Sequence, residues 1–152
     1  MSWNPLDQNT INKIKQQKEF EDQTVQKLTP LYESAKNPLI KLFLHSIILD
    51  TMRHSDTYQM LIDLNESALV GKESEAIGER ELTVHIKEEA KMLKQAQDIS
   101  KLVEDKPIKQ LILNVLEDEK KHHKVLSDLL KILKKEAKEW DAYLYDLIEG
   151  FP

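Results

Sequence analysis

The chain contains no cysteine, which excludes disulfides, thiolate zinc sites and iron–sulfur clusters. Only three glycines and five prolines occur in 152 residues. So few turn formers, set among many Glu, Lys and Leu, favour long helices over strands. Basic charge is not in excess: the net charge is −5 and the lysines alternate with acids, so nothing here is built to hold nucleic acid. No apolar run approaches the roughly 18 residues that cross a membrane. Met1-Ser2-Trp3-Asn4-Pro5 has neither the basic nor the apolar part of a signal region. The expectation is a cytoplasmic protein with no membrane partner.

What is present is apolar periodicity. A chain of this length defaults to one domain, 1–152, and buries roughly 70% of its extended surface. Asn4-Pro5 or Asp7 can cap a first helix carrying Ile11, Ile14, Val25, Leu28 and Leu31, with Pro30 expected to kink or end it. Asn37-Pro38 reads as the cap and first position of a second helix, with Ile40, Phe43, Leu44, Ile47, Tyr58 and Leu61 on one stripe. Residues 65–80 hold Gly71 and Gly78 and break the pattern, as the main connection would. A third helix carries Leu82, Met92, Leu93, Ala96, Ile99 and Val103, and Glu104-Asp105-Lys106-Pro107 turns into a fourth. Trp140, Tyr143, Leu144 and Leu147 predict a short C-terminal helix within 135–152 or an extension of the fourth. That segment either covers one end of the core or forms a homodimer contact.

The fourth helix holds the organising stretch, Leu116-Glu117-Asp118-Glu119-Lys120-Lys121-His122-His123. Ile108, Leu111, Ile112, Val115, Leu126, Leu129 and Leu133 form its stripe, and Glu119 and His122 interrupt it where leucines are due. Burying a carboxylate costs several kcal/mol unless it is paired, ligated or protonated. Glu-x-x-His places two donors on one face about one turn apart, as a metal ion needs.

Shifting the sequence by 68 positions brings the halves into register without a gap. Ile14 meets Leu82, Val25 meets Leu93, Ile40 meets Ile108, Phe43 meets Leu111 and Ile47 meets Val115. The polar intruders agree as well: Glu21 with Glu89, Asp50 with Asp118, His54 with His122. Core repeats of about 10–66 and 78–134 are expected, two helix pairs aiming these groups at the centre of an all-α, antiparallel four-helix bundle with an internal two-fold repeat. Thr51 breaks the symmetry, because Glu119 is its counterpart.

Asp118-Glu119-Lys120-Lys121-His122 and Asp50-Thr51-Met52-Arg53-His54 resemble the Asp-Glu-x-x-His of rubrerythrin-type members of the ferritin-like superfamily. The likeness covers roughly residues 10–133. It implies a ferritin-like bundle whose carboxylates hold one or two iron or manganese ions that react with peroxide or dioxygen. By the same likeness Glu21 and Glu89 are terminal ligands, Glu119 bridges, and His54 and His122 each bind one metal. Asp50 and Asp118 then accept hydrogen bonds from the ligand histidines. Thr51 stands where the family has its second bridging glutamate, and the cysteine-rich iron domain of rubrerythrins has no counterpart in this chain.

Each of these residues also has a plainer role. Glu119 and His122 can form a hydrogen-bonded buried pair, and His54 a core histidine bonded to Asp118 or Glu119. Glu21 and Glu89 can be the solvated edge of a stripe. His85, one turn before Glu89, is expected to pack rather than ligate, and Tyr58 and Tyr32 to be core aromatics with satisfied hydroxyls. His45 and His123 read as surface. The functional alternative to a peroxide-reacting oxidoreductase is a ferritin-like bundle that has lost its metal and serves as a structural or binding module.

Overall fold

The computed structural model of the chain describes residues 5–66, 78–135, 139, 147 and 148. Four helices form, and no strand occurs among the described residues: α1 (Gln8–Ser34), α2 (Pro38–Glu66), α3 (Glu79–Leu102) and α4 (Lys106–Leu133). They pack in pairs, α1 on α2 and α3 on α4. The chain divides into two compact units, one holding each pair.

The starts of the helices follow the capping residues. Asp7 caps α1, its carboxylate accepting from the Thr10 backbone N–H at 2.8 Å. Asn37 Oδ1 accepts from the backbone N–H groups of Leu39 and Ile40, and Pro38 takes the first position, where its missing N–H costs nothing. Asp105 Oδ1 accepts from the Ile108 N–H at 3.0 Å to open α4. Pro30 does not end α1, which runs on to Ser34. Proline there forfeits a single hydrogen bond, and the packed turns on either side carry the helix through it. The Ala35 N–H closes the end on the Leu31 carbonyl.

In the first hairpin the start of α1 meets the end of α2. The Leu6 N–H donates to Asn65 Oδ1 at 2.7 Å, and Lys15 lies 3.7 Å from Glu66. The pair is therefore antiparallel, as a three-residue connection requires. Ile11, Ile48 and Ile62 are its buried apolar residues, joined by Thr51 and Ser55. The second hairpin buries Leu82, Ala96, Leu116 and Ile132, together with Ser100 and Glu119.

The expected stripes are split by this packing. Leu44, Tyr58 and Leu61 on α2, and Ile112, Leu126 and Leu129 on α4, are half-buried against the partner helix. Phe43 and Ile47 are 59% and 50% exposed, Val115 is 51% exposed, and Leu31, Ile40, Met92, Ile99 and Ile108 are exposed as well. A single partner helix covers only part of an apolar arc wider than about 100°. The predicted connection falls mostly on residues 67–77, outside those described, as do Trp140, Tyr143 and Leu144 of the expected C-terminal helix.

Candidate metal centre

The centre lies within the α3–α4 hairpin. Two residues four apart on a helix share a face, so Leu82, Ile86, Glu89, Leu93 and Ala96 form the side of α3 that meets α4. Leu116, Glu119 and His123 form the facing side of α4. Glu89 and Glu119 are thereby held inside an otherwise apolar layer, and His122 flanks them at its edge.

One donor atom from each of Glu89, Glu119 and His122 lies within 4.8 Å of the others. Glu119 is 9% exposed, the Glu89 side chain 17% and the His122 side chain 58%, so the group is closed on the carboxylate side and open at the imidazole. His122 Nδ1 is 3.9 Å from Glu89 Oε1. The Oε2 atoms of Glu89 and Glu119 are buried with no hydrogen-bond partner. Hydrogen bonding to Glu89, burial and the Glu89 charge all push the Glu119 carboxyl above its usual range, while His122 opposes the shift. Two acids thus lie close together, with His122 the one potential positive charge in the group.

The donor set suits a metal ion. Two carboxylates and an imidazole are ligands for iron, manganese or zinc, and nothing soft is present to favour copper(I).

The chain matches no protein-family model, no curated protein and no solved structure. The geometry of the site therefore stands on its own.

The first hairpin brings together the counterparts. His54 Nδ1 lies 3.7 Å from Glu21 Oε1, with the Glu21 side chain 23% exposed. The Glu21 and Glu89 side chains are 23% and 17% exposed, so neither is the solvated edge of its stripe that was the plainer alternative. Buried Thr51 stands where α4 has Glu119, so no second carboxylate joins Glu21 and His54. Asp50 and Asp118 lie on exposed faces and pair along their own helices, with Arg53 at 3.5 Å and Lys121 at 3.7 Å. Short i,i+3 reach makes those lysine and arginine partners easier to hold than a histidine turned toward the neighbouring helix. His85 pairs with Glu88 at 3.2 Å on the exposed side of α3 and is not part of the group. Tyr58 is half-buried beside the level of His54. Tyr32 stacks on His45 with ring centroids 5.0 Å apart, beneath Lys41.

Sequence reasoning passed over His123. It is half-buried, not surface, and its Nδ1 is buried without a partner. The signal was its position four residues after Glu119, on the face that also holds Leu116. Lys18, Asp22 and Ser55 were also missed. Lys18 Nζ is 2.7 Å from Asp22 Oδ2, and Ser55 Oγ donates to Asp22 Oδ1 at 2.5 Å. The i,i+4 spacing of Lys18 and Asp22 marked the first of these contacts, but nothing local marked Ser55.

Proposed function

We propose that this chain is a metal-carboxylate protein that holds iron or manganese through Glu89, Glu119 and His122. The observation that carries the reading is the gathering of one donor atom each from Glu89, Glu119 and His122 within 4.8 Å, on two carboxylates that each also bury an oxygen without a protein partner. When both are ionised, two such groups without a partner cost several kcal/mol to bury, a cost that ligation removes as an alternative to the proton Glu119 can share with Glu89. The finer reading is a ferritin-like bundle of rubrerythrin type with an internal repeat. Two features support it: the register at a shift of 68, and the glutamate–histidine approach found in each hairpin at 3.7 and 3.9 Å.

Bound iron or manganese would supply redox chemistry toward peroxide or dioxygen. The chain's own part is to hold and charge-balance the ion. Glu89 and Glu119 provide two negative charges from opposite helices, and the apolar layer of Leu93 and Leu116 limits water on that side. The exposed His122 edge leaves room for a small oxidant.

A metal-free structural module is the second reading, favoured by Thr51, which deprives the first hairpin of its matching carboxylate. In that case Glu89 and Glu119 share a proton, as their mutual influence on the Glu119 carboxyl allows.

Elemental analysis of protein produced with iron and manganese available separates the two. The expected content is close to one ion per chain, lost on Glu119→Ala. Less than about a tenth of an equivalent, both before and after reconstitution, would exclude the metal reading and leave the module.

A further inference from the structure

The two hairpins serve their acids in different ways. In α1–α2 the acid is already served. Asp22 receives the Lys18 ammonium at 2.7 Å and the Ser55 hydroxyl on its other oxygen. Hydrogen bonding to Lys18, and then to Ser55, holds the Asp22 carboxyl below the usual range. The Lys18 side chain is only 26% exposed, and helical spacing sets Glu21 and Asp22, three and four residues ahead, within reach of its ammonium, which is paired with Asp22.

In α3–α4 the positions 68 further on read Ile86, Ala90, Glu119 and His123 in place of Lys18, Asp22, Thr51 and Ser55. The cation has gone, the acid at 22 has become Ala90, and a new acid, Glu119, stands on the facing helix. There the buried oxygens of Glu89 and Glu119 and the buried nitrogen of His123 have no partner.

We infer that Lys18 is the resident counter-cation of α1–α2, filling the electrostatic role that a metal ion has in α3–α4, and so holds the chain to a single metal. The inference rests on the metal-binding reading above. Lysine suits the role because its ammonium is a compact point charge on a flexible stem, able to turn between acids three and four residues ahead. A divalent ion approaching Glu21 and His54 would have to displace that ammonium or accept it as a close neighbour of like sign.

The test is Mn(II) titration, with the free ion counted by its paramagnetic resonance, of the parent chain, Thr51→Glu, Lys18→Gln and the double variant. The parent should bind one Mn(II). Thr51→Glu should also bind one, because Lys18 turns to the new carboxylate. The double variant should bind two. Lys18→Gln alone should gain a second site at least tenfold weaker than the first. It changes one partly exposed side chain, so it decides the matter if the double variant does not fold, as judged by circular dichroism. A parent that binds two, a Thr51→Glu variant with two sites of similar affinity, or a folded double variant that stays at one each overturns the role of Lys18. Failure of Lys18→Gln to gain any second site overturns it too. A parent that binds none removes the metal reading itself, an outcome distinct from all of these.

Discussion

Glu119 is the residue on which the proposed metal binding turns. It sits on an apolar face where leucine would pack, and hydrogen bonding to Glu89, burial and charge all favour its protonated form. Glu119→Gln keeps the shape and removes the repulsion. Without metal the variant should therefore melt at the parent's temperature or a few degrees above it. Saturating Mn(II) should raise the parent's stability by about 2.7 kcal/mol at a hundredfold excess over Kd and leave the variant nearly unchanged. Paired thermal melts with chelator and with metal check this, and an equal metal response in both proteins would contradict it. Glu-x-x-His, read from sequence, singled out Glu119 and His122, whose donor atoms lie within 4.8 Å of one another and of Glu89. It could not show that His122 is the exposed member while His123 points into the hairpin, because that depends on how α4 is rotated against α3.

At the scale of the element, the caps were legible and the interior proline was not. Asp7, Asn37 and Asp105 each accept the backbone N–H groups that a helix start leaves free, a local rule that needs no tertiary contact. Pro30 obeys its local rule only in part. It withholds one hydrogen bond from α1, yet Val25, Leu28 and Tyr32 on either side are held against α2. Pro30→Ala restores the missing donor and should stabilise the protein by about 1–3 kcal/mol, since proline in a helix interior costs about 3 kcal/mol relative to alanine. Urea denaturation followed at 222 nm measures it. A loss of stability would mean that the proline is favoured through the unfolded chain or by its own packing.

For the whole molecule, the buried Glu119 and the half-exposed Asp22 respond oppositely to pH. The Glu119 carboxyl is raised, so its proton-linked stabilisation is complete below the ordinary value of 4.5 and is lost as pH rises through the raised one. The Asp22 carboxyl is lowered, so its contribution is present above 3.8 and is lost only as pH falls through the lowered value. In chelator the melting temperature should thus fall as pH is raised from about 4.5 toward neutrality. Metal should flatten that slope, because it takes the place of the proton between Glu89 and Glu119. A chelated protein whose melting temperature climbs steadily over the same range would show that the two acids do not share their site as described.

Periodicity, capping residues and composition determined that this chain is helical, where three of the four helices begin, and which acids and histidines interrupt their apolar stripes. These are local properties, set by 3.6-residue geometry and by backbone groups that need nearby partners. The tertiary structure decided which flank of each stripe is buried. Ile48 is covered while Ile47 is half exposed, and Leu116 is covered beside an exposed Val115. It also decided which polar groups meet: Asp22 with Ser55 across the first hairpin, Glu89 with Glu119 across the second. Neighbours in sequence differ by about 100° around a helix, so a small rotation of one helix on its partner exchanges core for surface. That rotation is set by the fit of all the side chains between the two helices and is written in no single stretch of either.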